Sequence, residues 1–243
     1  MPGSPEDARL LGDVSAQTGF IALDLLQLGP DFTAADVAQA IASEGQPDAD
    51  LHVVGFSIGA MAAIRIAGLM PDRVTKLTLI SPAAPLQMGN FLPEMAGKAV
   101  FDMAQRRPWL LLLVAWAQGL VARLSPKTLN KLLFAKCGPA ERALLDDPAF
   151  QEVLSAAFEN SLIRSPRGYS AYLHAYVSDW TAALEAVACP VELWHGSQDT
   201  WSPAAMSEAL ASAFGPSSQV MIVPEAEHYS TLTHVELTHA EQG

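Results

Sequence analysis

Ser57 stands where a serine hydroxyl can do chemistry. It is the centre of Gly55-Phe56-Ser57-Ile58-Gly59, preceded by the apolar run Leu51 to Val54 and followed by small and apolar residues at helical spacing from Ile58 to Leu69. G-x-S-x-G between a buried strand and a helix is the pattern of a nucleophile elbow. A sharp strand-to-helix turn leaves no room for side chains two positions either side of the serine, and it lifts the hydroxyl clear of the sheet. The Ile58 N–H then lies at a helix N-terminus, where it can stabilise a developing oxyanion. The hydroxyl is a weak nucleophile until a base takes its proton, and imidazole is the base that titrates near neutrality. A glycine-rich turn with a solvent-facing serine is the plainer reading; the flanking strand and helix, with Ala60 after the second glycine, weigh against it.

The elbow and its flanks resemble the α/β-hydrolase superfamily, whose triad runs in the order Ser, then Asp or Glu, then His. The strand Val191 to His195, followed by Gly196-Ser197-Gln198-Asp199 and by Pro203 opening a helix, is similar to the family's acid-bearing strand end. The strand Gln219 to Val223, followed by Pro224-Glu225-Ala226-Glu227-His228, looks like the family's histidine loop. The resemblance therefore implies Ser57, Asp199 and His228 as the catalytic residues. In a parallel sheet all three loops emerge at the carboxyl edge and can converge. Asp199 would hold the His228 tautomer and stabilise the imidazolium. Glu227 stands where the family commonly has glycine, and its charge is expected to strengthen the neighbouring base.

The start of the chain departs from the family. Met1-Pro2-Gly3-Ser4 looks like the second half of the family's oxyanion loop, without the His-Gly pair and the strands that precede it. Met1 thus falls where the second oxyanion donor is expected, beside Ile58. Gly19 to Leu26 resembles the family strand that ends in an aspartate, here Asp24. With the intervening strand missing, Gly19–Leu26 is expected to pair directly with Leu51–Val54 as a right-handed βαβ unit, giving about five parallel strands. Its apolar outer edge would invite a homodimer.

Other elements follow from pattern. Thr33 can cap a helix over Ala34–Ser43 with Val37, Ala38 and Ile41 inward. Val74 to Ser81 alternates into a strand and stops at Pro82. From Leu86 to Leu184 strand patterns vanish and helical periods recur, with candidates at Leu92–Gln105, Trp109–Arg123, Pro126–Lys136, Pro139–Leu145, Pro148–Ile163 and Arg167–Val187. Five prolines sit near those starts, where the missing N–H costs nothing. A final helix is expected over Pro203–Phe214. The fold class is α/β: a truncated, mostly parallel sheet with helices on both faces. Residues 1–85 and 185–243 form the core, and 86–184 an inserted helical cap.

Composition supports a large core, with 50% hydrophobic and 16% charged residues in 243. The net charge of -12 weighs against nucleic acid and anionic membranes as partners. Cys137 and Cys189 have no metal or redox spacing and read as buried thiols of a cytoplasmic protein. Pro2 to Asp13 is polar, unlike a signal peptide. The longest apolar run, Pro108 to Ala117, is about half a membrane span. The segment Trp109 to Trp116 is apolar on every face, which implies burial all round or a lipid-like substrate beneath it. Trp109, Trp201 and His174 are the candidates for lining a substrate pocket. His52 and His195 fall within strands as core or edge residues, and His234 and His239 in a polar tail. No metal site or cofactor is expected. The resemblance implies a carboxylesterase acting on small to medium apolar esters through an acyl-enzyme on Ser57. Two alternatives stand beside it: a non-catalytic ligand-binding member of the fold, and a carbon–carbon or lactone hydrolase with the same triad.

Overall fold

The computed structural model describes residues 20–45 and 48–235, with Arg9 and Leu237 as single residues. In chain order the elements are α1 (Leu25–Leu28), α2 (Ala34–Ser43), β1 (Leu51–Phe56), α3 (Gly59–Leu69), β2 (Val74–Ile80), α4 (Lys98–Arg106), α5 (Pro108–Leu124), α6 (Pro126–Leu133), α7 (Pro139–Asp146), α8 (Pro148–Phe158), α9 (Pro166–Val177), β3 (Val191–Gly196), α10 (Ala205–Phe214) and β4 (Ser218–Val223). A π-helical turn, Glu159–Arg164, follows α8, and short 3-10 turns lie at Leu86–Met88, Thr181–Ala186, Gly215–Ser217 and Ser230–His234.

The sheet has four strands in the order β1-β2-β3-β4, and every neighbouring pair is parallel. Each connection crosses over through helix, as parallel pairing requires. Alternation sorts the strand residues onto two faces. Val53, Leu77, Leu79, Val191 and Leu193 join Met61, Ile64, Met206 and Leu210 of α3 and α10 in the main core. Val54, Phe56, Ile80 and Trp194 belong to a second cluster with Tyr229, Leu232 and apolar residues of α5, α6 and α8. The second cluster ties the sheet to the long helical segment between β2 and β3.

The expected strand over Gly19–Leu26 is not formed by its described part, and the sheet among the described residues has four strands rather than about five. Asp24 is the reason. Its carboxylate accepts the amides of Leu26 at 3.0 Å and Gln27 at 3.1 Å. That caps one helical turn, with Leu25 and Leu26 buried, so the chain winds instead of extending. Among the described residues β1 is the outer strand on that side. The other strands lie within two residues of their expected bounds. The α2 helix carries a capping box in which Thr33 and Asp36 satisfy each other's amides, with Val37 and Ile41 inward.

Candidate active site

The carboxyl ends of β1, β3 and β4 bring Ser57, Asp199 and His228 together. Ser57 has φ 55°, the strained backbone of a sharp turn between β1 and α3. Gly55 permits that turn: a Cβ there would come within 2.6 Å of the Ala63 Cβ and 3.0 Å of the Ala60 Cα. The second glycine of the motif behaves differently, since a Cβ on Gly59 meets nothing within 4 Å. Crowding at the motif is thus confined to the strand side. The start of α3 sets the Ile58 N–H among the helix's unsatisfied amides. Met1 lies outside the described residues.

His228 Nε2 is 2.8 Å from Ser57 Oγ, and His228 Nδ1 is 2.7 Å from Asp199 Oδ2. A carboxylate oxygen only accepts, so Nδ1 carries the proton and the bare Nε2 accepts from the serine hydroxyl. All three residues are buried. The other Asp199 oxygen accepts the amides of Trp201 at 2.8 Å and Ser202 at 3.0 Å. Burial alone would raise the Asp199 pKa; the facing imidazoles of His228 and His195 outweigh it and hold the carboxyl below the usual carboxylate range. The arrangement can strip a proton from Ser57 and hold the resulting imidazolium against a fixed negative charge.

Several supporting residues carry no motif of their own. His195 Nε2 is 2.7 Å from the Ser202 carbonyl and 3.3 Å from Asp199 Oδ2, while its Nδ1 is 2.7 Å from Ser207 Oγ. The Ser202 hydroxyl donates to the Ser81 carbonyl at 3.0 Å, and the Ser81 hydroxyl donates to the His228 carbonyl at 2.9 Å. Short polar side chains after strand ends are too common in sequence to single out these ones.

Glu227, beside His228 in the chain, has its carboxylate taken up by backbone. Its carboxylate accepts backbone amides of Gly138 at 2.6 Å, Ala140 at 3.0 Å and Glu141 at 3.3 Å, at the start of α7. Glu141 reaches back: one of its oxygens accepts the amides of Tyr229 at 2.6 Å and Ser230 at 3.0 Å. Two buried carboxylates therefore clasp the histidine loop to the helical segment. Burial pushes the Glu141 pKa up to about 7, against the pull of those two amides, with the charges of Glu227 and Asp199 adding to the rise. Inspection of the sequence could not pair Glu141 with a loop so far along the chain, because both carboxylates are held by backbone amides, which carry no side-chain signal.

A cavity of about 180 Å³ opens beside Ser57 and His228. Its walls are mostly apolar: Ile58, Met95, Phe101, Leu133, Phe158 and Leu173 are among them. Trp201 lines it too, with its ring 5.9 Å from that of His228 and nearly parallel. Trp109 and His174, the other two pocket candidates, are not among the lining residues. Trp109 points into solvent on α5, and His174 Nδ1 is 3.3 Å from the Ala104 carbonyl, bridging α9 to α4. Among the described residues no cluster of ligating side chains could hold a metal ion. Both cysteines are free and buried.

The sequence profile of the alpha/beta hydrolase family matches residues 3–241. The chain belongs to this family. Curated relatives include a pimeloyl-[acyl-carrier protein] methyl ester esterase of Aromatoleum aromaticum, 30% identical over 78% of this chain and 71% of that protein. One of the same description from Pseudoalteromonas atlantica is 26% identical over 76% of this chain, which spans 65% of that relative's length. Among solved structures, a thermophilic esterase from Thermogutta terrifontis superposes with a TM-score of 0.55 at 22% identity, covering 83% of this chain and 65% of that one. The enol-lactonase from Burkholderia xenovorans gives 0.53 at 15% identity, covering 85% of this chain and 69% of that one. These structural likenesses establish the α/β-hydrolase fold. No helix among the described residues is long and apolar enough to cross a membrane.

Proposed function

We propose that this member of the family is a serine ester hydrolase acting on small to medium apolar esters. The observation that carries the reading is the hydrogen-bonded chain Ser57–His228–Asp199 at the wall of an apolar cavity. His228 would take the Ser57 proton as Oγ attacks the ester carbonyl, and the Ile58 N–H would meet the developing oxyanion. The imidazolium would then protonate the leaving alcohol. Water, deprotonated by the same imidazole, would release the acid from Ser57 and restore the hydroxyl. Asp199 stays ionised throughout and steadies the imidazolium. Residues 86–184 act in this reading as a cap that roofs the acyl pocket, with Trp201 against the base. The relatives named as methyl ester esterases support ester rather than amide chemistry.

The test is turnover of p-nitrophenyl esters of rising acyl length by the wild type and Ser57→Ala. Turnover with a length optimum, lost in the alanine variant by several orders of magnitude, is expected. Wild-type turnover retained by Ser57→Ala, or none in either protein, overturns the reading.

A further inference from the structure

The α5 helix is built inside out. Its inward residues are Leu111, Ala115, Gly119 and Ala122, mostly small, and the helix packs closely on the π-helical turn. A Cβ on Gly119 would run into the Leu162 carbonyl oxygen. Its large apolar residues face the other way. Trp109, Leu113, Trp116, Leu120 and Leu124 are each between 48% and 77% exposed. Their spacing of three or four residues lines them along one side of the helix for about 22 Å. The expectation that this helix is buried all round is thus met on one face only. Leu132 of α6 is a further exposed leucine, and it also lines the cavity. Together these side chains expose on the order of several hundred Å², the size at which an apolar patch marks an interaction site.

Charge surrounds that patch unevenly. From Arg106 to Lys136 the chain carries Arg106, Arg107, Arg123, Lys127, Lys131 and Lys136 and no Asp or Glu, within a protein of net charge -12. All of these cations are exposed, and none makes an ion pair among the described residues. The whole-chain charge weighs against an anionic partner only if spread evenly, and charges beyond about 8 Å are screened at physiological salt. A helix with Trp and Leu on its outer face and cations at its ends is suited to lie in a lipid headgroup layer.

We propose that α5 and the start of α6 dock on an anionic lipid bilayer, with Trp109, Leu113, Trp116, Leu120 and Leu124 entering the headgroup–acyl boundary and the cations meeting lipid phosphates. Docked so, the protein would sit at a surface into which apolar esters partition and take its substrate from there. The direction of substrate delivery rests on the hydrolase reading; the docking does not.

Cosedimentation of the full chain with vesicles of phosphatidylcholine alone, and with about 30 mol % phosphatidylglycerol, tests this. Binding to the anionic vesicles with a blue shift of tryptophan emission, weakened by salt, is expected. The variant Leu113→Ser/Trp116→Ser/Leu120→Ser should lose binding while still hydrolysing a short soluble ester as the wild type does. Arg106→Gln/Arg107→Gln should weaken partitioning about fivefold per cation removed. Vesicle binding by an inactive wild type would support docking and overturn only the hydrolase reading. No vesicle binding, binding indifferent to lipid charge, or full binding by the serine variant would overturn the docking. So would a wild-type dimer that the serine variant abolishes, or saturable binding to a small acidic protein by a chain that ignores vesicles.

Discussion

Replacing Glu141 by glutamine should make the protein more stable above neutral pH and leave it nearly unchanged in acid. One carboxylate oxygen of Glu141 already accepts both loop amides, and the other is buried without a hydrogen-bond partner among the described residues. A glutamine can keep its carbonyl on the amides and place its NH2 where the unpartnered oxygen lies, so it stands in for the protonated acid. Burial raises the folded-state pKa from the ordinary 4.5 to about 7. The folded protein then holds a proton that the unfolded chain has lost, and stability falls as pH rises from 4.5 to 7 and levels off above. At about 1.4 kcal/mol for each pH step of one across that window, the cost of the ionised form is about 3 kcal/mol. For a chain of this size that is roughly 6–12 °C in Tm. The groups facing Glu141 are Glu227, Asp199 and Cys137; the thiol, raised to about 11 mainly by burial, stays neutral, and Asp199 stays ionised across the window. Thermal unfolding of both proteins at about pH 5 and about pH 8, either side of the folded-state value, reads the effect directly. A glutamine variant less stable than wild type on the alkaline side, or one whose Tm varies with pH as the wild type's does, would refute the assignment of a strained carboxylate at this position.

Three further outcomes are expected. Asp199→Asn should keep the fold and lower ester turnover by up to about ten thousand-fold, because asparagine can donate to Nδ1 and so favours the wrong tautomer; single-turnover kinetics on an activated ester checks it. Gly55→Ala should cost about 1–3 kcal/mol and most activity, because its Cβ overlaps α3, whereas Gly59→Ala should unfold near the wild-type temperature. Ser202→Ala should reduce turnover far less than Asp199→Asn, since the Ser202 amide still holds Asp199 and only the hydroxyl links to Ser81, Asp199 and His228 Nδ1, the last two long at 3.3 Å, are lost; a loss as large as that of the Asp199 variant would contradict this.

The resemblance to the family singled out Asp199 and His228 as partners of Ser57; the chain by itself determined the four strands of the sheet and the elbow. Those depend on local rules: an apolar run, a glycine where a Cβ cannot fit, a proline where an amide is not needed. Alternation within β1 and β2 even sorts which side chains face each core cluster. Where a local rule competed with a remote resemblance, as at Asp24, the local hydrogen bonds to Leu26 and Gln27 prevailed and a helical turn replaced a strand. Tertiary structure alone decided how the charges and apolar faces were used. The adjacency of Glu227 and His228 suggested an electrostatic partner, yet the carboxylate is satisfied by amides of α7 that lie far along the chain. The apolar residues of α5 read as core, yet the close approach of Leu162 leaves no room for a side chain at Gly119, and most of the large residues lie outward. A helix that is apolar all round has no sequence period to say which face packs, so only its neighbours can choose.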